Sequence, residues 1–351
     1  MEFVRRPGLP LQRVPHSLFG DGAAVYAPMI PQGRTVLHLW NKMKVGGAGP
    51  WGVSFESRLP RVADGASSAR KLRLRLATDE SCVFINAVSE YARDRFTREL
   101  EGPIRAILES RTRVVYPAVR ATGQECPKPL TGAGSLNLIF VGNAFFRKGG
   151  EALLQLMEQL GDELDLRLTV VSTLTYPDYA TPWVEKDYRD DVASRLSGHP
   201  RIEWIAGTSH SSVMRKMRTS HMTVLPSLAD TFGYSLAEGA VSGAMVVGSN
   251  VQALPEIIGA RGRTIDIPLN AMKEWVGVRG QARSYREVVA QLAEGLGRVA
   301  LEAREDPVLF NADRKRISER SRRMFSEDRD AVLRDIYRGA GIMVPAGVVE
   351  A

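Results

Sequence analysis

Cysteine is nearly absent. The 351 residues hold only Cys82 and Cys126, too few for a disulfide framework, and neither lies in a CxxC or Cys/His cluster with metal-ligand spacing. The chain therefore reads as intracellular, cytoplasmic rather than secreted. Long apolar runs are also missing: no stretch approaches the about 18 residues that a membrane helix needs. The N-terminal segment MEFVRRPGLPLQRVPHSLFG has basic residues but no apolar core of signal-peptide length. Aromatic residues make up only 7%, and none interleaves with the basic clusters at 70–77 and 314–323, so a single-strand nucleic-acid platform is not expected. There is no repeat at solenoid period and no low-complexity tract.

What is present describes a globular protein, with 44% hydrophobic and 25% charged residues and a mean hydropathy of -0.16. The length suits two domains. Lys and Arg outnumber Asp and Glu by 47 to 40, a net charge of +7, which favours an anionic partner. Phosphorylated small molecules and peripheral contact with an anionic membrane surface fit that charge. Nucleic acid is not expected, because charge is the single feature in its favour.

Short Val/Ile/Leu runs alternate with longer helical patterns, the mark of parallel α/β units. Strands are expected at 35–40, 52–57, 81–88 and 113–119, with a helical segment over 89–110. A Pro/Gly/Ser-rich stretch without periodicity follows, and a second series of strands is expected at 136–142, 166–172, 201–207, 221–227, 244–250 and 263–268. From Ser284 onward the chain reads as mostly helical. The expected division is a first lobe over 1–123, a linker over 124–135 and a second lobe over 136–315, with a C-terminal helix in 316–351 packing back on the first lobe.

Two segments could carry chemistry. In LPSLADTFGYSLAEGAVSGAMVVGSNVQALPEIIG, 225–259, a strand ends in a loop with Asp230, and Phe232-Gly233 opens a helix bearing Glu238. A glycine at that opening lets a ligand approach the backbone, and the first amides, at Tyr234 and Ser235, face an anion with the helix dipole behind them. In LIFVGNAFFRKGGEALL, 138–154, a strand ends at Gly142 and a loop delivers Arg147-Lys148-Gly149 to a helix start. Two fixed cations there can meet an anionic group at the helix start. Plainer roles exist for each residue: dipole complement for Glu238, helix cap for Asp230, solvated turn for Arg147-Lys148, and packing for Phe232 and Gly233.

Both motifs together resemble the retaining GT-B glycosyltransferases of family 4. Their signature is an acidic residue, seven residues and a Glu, built around Phe-Gly and followed by a Pro-Glu pair; Asp230, Glu238 and Pro255-Glu256 stand at those positions. The Asp is one methylene shorter than the family's usual Glu. The strand-Gly-Lys-Gly pattern also matches, with Asn143 where the family has Arg and Arg147 as its substitute. The resemblance covers about residues 136 to 340. It implies two Rossmann-like lobes facing across a cleft, the first one shortened, and transfer of a hexose from a nucleoside diphosphate sugar to a glycan, lipid-linked or small-molecule hydroxyl. It also implies that no cofactor or metal is required.

Residue by residue, the resemblance implies that Glu238 binds the ribose diol and Asp230 the donor sugar. It implies that Gly142, Asn143, Phe232, Gly233, Tyr234 and Ser235 line the donor site, and that Arg147 and Lys148 meet the leaving diphosphate. On the first lobe, strand ends put forward Asn41 and Glu56 as acceptor-side candidates, with a salt bridge to Arg58 or Arg61 the plainer role for Glu56. Gly46-Gly47-Ala48-Gly49 are candidates for the family's glycine-rich loop. Asp328-Arg329-Asp330 matches a metal motif of another glycosyltransferase class, but i and i+2 on a helix diverge. The five histidines, at 16, 38, 199, 210 and 221, lack ligand spacing. Two other readings remain: a nucleotide-sugar-binding protein impaired in catalysis or dependent on a partner, and a dinucleotide oxidoreductase, which lacks its GxGxxG.

Overall fold

The computed structural model describes residues 24–26, 36–45, 49–59, 74–119, 128–132, 134–277 and 282–339. The chain forms two compact units, Met1–Ala118 with Ser326–Ala351, and Val119–Phe325. Residues 120–127, which make up much of the Pro/Gly/Ser-rich stretch, and three of the four residues of the Gly-Gly-Ala-Gly run, 46–48, lie outside the described residues.

The first unit contains β1 (Ala24–Tyr26), β2 (Leu37–Trp40), β3 (Met43–Val45), β4 (Trp51–Phe55), β5 (Cys82–Ala87), α1 (Glu90–Arg98), α2 (Ile104–Arg111) and β6 (Thr112–Val114). A four-stranded parallel sheet runs β2-β4-β5-β6, and β1 pairs with β3. Strand β4 is buried along its whole length, as a parallel strand covered on both faces should be. The core gathers Leu39, Val53, Phe55, Ile85, Phe96 and Leu108. The helix expected over 89–110 is interrupted at Gly102-Pro103, with Ser89 Oγ capping α1 by accepting the Ala92 N–H at 3.0 Å. The strand expected over 113–119 stops at Val114, ahead of Pro117, which has no N–H to give a ladder.

The second unit contains β7 (Leu136–Val141), α3 (Gly150–Leu160), β8 (Leu166–Val171), α4 (Lys186–Gly198), β9 (Ile202–Ile205), α5 (His210–Thr219), β10 (Met222–Leu225), α6 (Tyr234–Val241), β11 (Met245–Ser249), α7 (Leu254–Ile258), β12 (Arg263–Ile265), α8 (Ala282–Glu305) and α9 (Pro307–Arg322). All six strands are parallel, in the order β12-β11-β10-β7-β8-β9. Strand order reverses between β7 and β10. Chain connections leave that point in opposite directions and open a crevice beyond the strands' C-terminal ends.

A π-helical stretch, Arg323–Glu327, leads into α10 (Asp328–Gly339), which packs in the first unit. There Leu333 meets Val115, and the Tyr337 ring lies edge-on to Phe84 with centroids 5.7 Å apart. Three of the six basic residues in the 314–323 cluster donate to main-chain carbonyls, while Lys315, Arg316 and Arg323 are exposed. Arg314 donates to the Gly243 carbonyl (3.1 Å), Arg320 to those of Glu256 (2.8 Å) and Ile257 (3.2 Å), and Arg322 to that of Val241 (3.0 Å). Those are the C-terminal carbonyls of α6 and α7 and the turn after α6, where guanidinium donors complement the dipole. No helix among the described residues is long and apolar enough to cross a membrane.

Candidate active site

Three loops meet at the reversal of strand order. The loop after β7 carries Gly142 to Gly149, the loop after β8 carries Asp178 and Tyr179, and the loop after β10 carries Pro226 to Gly233. The first and third are stitched backbone to backbone, the Leu228 N–H donating to the Arg147 carbonyl at 2.9 Å. Gly149 makes the closeness sterically feasible. It has φ 73°, and a Cβ on it would stand 2.0 Å from the Pro226 carbonyl oxygen, so no other residue fits.

The side chains then pair across the crevice. Arg147 Nε lies 3.0 Å from the Asp178 carboxylate, its Nη1 donates to the Ala229 carbonyl at 2.6 Å, and its guanidinium sits 5.2 Å from the Tyr179 ring centroid. Lys148 lays its stem against Gly142 and brings Nζ to 3.0 Å from Asp230 Oδ2. The other oxygen, Oδ1, accepts the Gly233 N–H at 2.7 Å and the Phe232 N–H at 3.3 Å. Burial by itself would raise the Asp230 carboxyl, but Lys148, Arg147 and the Phe232 amide outweigh it and hold it below the usual carboxylate range. Burial likewise opposes the Arg147 charge, while Tyr179, Asp178 and Asp230 more than restore it. Two cations and two carboxylates thus form a neutral, preorganised set.

Helix α6 starts directly behind that set. Gly233 is its N-cap, at φ 85°, and a Cβ there would meet Leu254 Cδ2 at 2.5 Å. The glycine is therefore required by left-handed backbone and by packing, and its Cα faces Leu254 rather than space left open for a ligand. The N–H groups of Tyr234 and Ser235 precede the first helical bond, as at any helix start. Ser235 Oγ is buried with no hydrogen-bond partner among the described residues. Phe232 is buried, with Tyr234 edge-on to it at 4.8 Å, so its packing role is real.

Arg147, Lys148 and Asp230 are brought into one contact network, to which the sequence reading adds no hint of Asp178 and Tyr179. Glu238 stands apart from it: its Oε1 lies 2.9 Å from His210 Nε2 at the start of α5. Asn143 is exposed at the end of β7, its carbonyl accepting the Thr175 N–H at 2.8 Å. The missed residues Asp178, Tyr179 and His210 share one signal, since each belongs to a segment that leaves the C-terminal end of a parallel strand. In the first unit, Asn41 and Glu56 are neighbours at the ends of β2 and β4. The Asn41 carboxamide oxygen accepts the Glu56 N–H at 3.0 Å, and Asn41 is buried, so that amide holds the backbone. Asp330 of the Asp-Arg-Asp triplet pairs with Arg329.

Residues 127–274 match the family model for glycosyl transferases group 1. An uncharacterized glycosyltransferase of Methanocaldococcus jannaschii is 23% identical over 121 residues, which are 34% of this chain and 29% of that protein. Solved structures with a similar fold include Anabaena HepE in complex with UDP-glucose, with a TM-score of 0.56 and 13% identity, covering 84% of this chain and 72% of that one. A UDP-forming α,α-trehalose-phosphate synthase from Burkholderia vietnamiensis has a TM-score of 0.58 and 12% identity, covering 88% and 75%. Sucrose-phosphate synthase from Thermosynechococcus elongatus has a TM-score of 0.54 and 16% identity, covering 86% and 73%.

Proposed function

We propose that this chain, which belongs to the group 1 glycosyltransferases through residues 127–274 and has their GT-B fold with two parallel sheets, transfers a hexose from a nucleoside diphosphate sugar to a hydroxyl acceptor with retention of configuration. The observation that carries the reading is the Lys148–Asp230 pair bridging β7 and β10 at the point of strand-order reversal, with Arg147 beside it and the start of α6 behind it.

In this reaction the bond between the anomeric carbon and the phosphate oxygen breaks, and its electron pair leaves on the diphosphate. The acceptor oxygen bonds to the same face of the anomeric carbon, and its proton passes to the departing phosphate. The protein's task is to stabilise charge on that leaving group. Lys148 has three N–H donors, and its contact with Asp230 leaves others for phosphate oxygens. Arg147, already aimed by Asp178 and Ala229, needs no reorganisation to donate. The first turn of α6 adds backbone amides and the positive end of the dipole. Glu238 accepts from the ribose hydroxyl pair with the oxygen left open by His210. Asn41 and Glu56 are the acceptor-side residues of this proposal.

Asp230 supports a second reading. Its Oδ1 is taken by two backbone amides, and Oδ2, buried beside Lys148, is the one oxygen with a lone pair left for the donor sugar. A nucleotide-sugar-binding protein with slow or partner-dependent turnover fits that arrangement. A calorimetric binding panel of UDP, GDP, ADP and their glucose conjugates, each with and without Mg²⁺, followed by donor hydrolysis, separates the two. UDP-glucose goes first, because HepE was solved with it. Binding with slow hydrolysis supports the transferase, binding without any turnover across acceptor classes supports the second reading, and no binding removes both. Glu238→Ala is expected to weaken nucleotide binding by about tenfold or more with the fold intact, the scale of a hydrogen bond to a charged group.

A further inference from the structure

Among the described residues, the Glu238 carboxylate is hydrogen-bonded to one side chain, and that side chain comes from another helix. Helix α5 crosses from β9 to β10 with Val213, Met214 and Met217 packed on Ile139 of β7 and Val171 of β8, which lays it beside α6. Ser209 caps α5, its Oγ accepting the Ser212 N–H at 3.3 Å, and so fixes His210 as the first helical residue. From there His210 Nε2 lies 2.9 Å from Glu238 Oε1. An ionised carboxylate has no proton to give, so Nε2 is the donor and Oε1 the acceptor.

This bond does little for the fold. The His210 side chain is 69% exposed, so the pair stands at the surface, where such pairs contribute little, and removing the ring opens no cavity. What the bond does constrain is a flexible side chain. An unanchored Glu samples several rotamers, and a ligand that needs it in one of them bears the entropy of fixing it. With Oε1 anchored on α5, Oε2 is presented in one orientation. Its two lone pairs remain, one for each of two vicinal hydroxyls.

We infer that His210 is a positioning residue: by holding Glu238 Oε1 from the start of α5, it sets the preference of this site for ribonucleotides over nucleotides whose sugar lacks the hydroxyl pair. This rests on the reading of Glu238 as the ribose acceptor. His210 touches no ligand in this scheme and acts only through the carboxylate.

Calorimetry on the full chain with UDP and with 2′,3′-dideoxy-UDP, which lacks both hydroxyls, separates the two steps. GDP or ADP and its dideoxy form take their place if wild type binds one of those instead. Wild type should prefer the ribonucleotide by about tenfold or more, the scale of a hydrogen bond to a charged group. Equal affinities, or no binding of UDP, GDP or ADP, overturn the ribose reading of Glu238 and the role of His210 with it. Where wild type shows the preference, His210→Ala should weaken the ribonucleotide by about fivefold, the scale of immobilising one flexible side chain, and leave the dideoxy form unchanged. His210→Gln, whose amide still offers an N–H to Oε1, should keep most of the preference. Equal losses for both ligands mark a merely structural ring, and no loss for either marks an idle one; each overturns the positioning role while the ribose reading stands. A Gln variant as weak as the Ala variant places the effect in the bulk of the ring and overturns it too. In Glu238→Ala, adding His210→Ala should change ribonucleotide affinity no further, and a full second loss means that the ring does not act through the carboxylate.

Discussion

His221, at the entrance to β10, takes the place of a strand partner through its ring. Its backbone N–H donates to the Asn137 carbonyl at 2.8 Å, and its Nδ1 accepts the Asn137 N–H at 3.0 Å. Nδ1 is the acceptor of that bond, so a second ring proton would set N–H against the Asn137 N–H. Burial first, then Arg314 and Arg304, pull this imidazole down to about 4. In the unfolded chain it titrates near about 6.5, so on acidification the unfolded state takes the proton first. The stability it contributes is complete above that value and is lost as pH falls toward about 4, by about 3 kcal/mol in all. Urea unfolding at stepped pH should show wild type losing this increment relative to His221→Gln, whose amide oxygen can still accept from Asn137. Parallel curves would remove the ring from the account. Spacing among the five histidines excluded a ligand set, and nothing in the sequence hinted that this one stands in for a strand.

At the scale of elements, the α/β alternation was legible because parallel strands buried on both faces read as continuous apolar runs. The boundaries that moved did so at proline and glycine, at Gly102-Pro103 between α1 and α2 and at Pro117 after β6. What sequence did not convey is how tightly the turn after β7 approaches the end of β10. Gly149→Ala forces a Cβ into the Pro226 carbonyl in a left-handed backbone. It is expected to cost about 2 to 4 kcal/mol, the range of strain and overpacking together, and to separate Lys148 from Asp230. Gly198→Ala, at the end of α4 with nothing within 4 Å of its added methyl, is the control and should be close to neutral in the same denaturation series.

At the scale of the whole molecule, the chain leaves the first unit after Ala118 and returns to it at Ser326. The first unit is therefore completed last, by α10, whose Leu333 and Tyr337 cover Val115 and Phe84. A chain ending at Phe325 should lose hydrogen-exchange protection in β4, β5 and β6, while the six-stranded sheet keeps its own. Unchanged protection in the first unit would mean that α10 is not part of its core.

The sequence by itself determined the α/β class, the strands of both series, the two motifs and their family resemblance, because these depend on local periodicity and on spacing within one segment. Tertiary structure alone decided which charges meet. Asp178 neutralises Arg147 from 31 residues away and Asp230 neutralises Lys148 from the far side of the strand-order reversal. It also decided that Arg314, Arg320 and Arg322 donate to carbonyls at or just after the ends of α6 and α7. The pairing of charges follows from strand order, and strand order is a property of the folded sheet that no local pattern encodes.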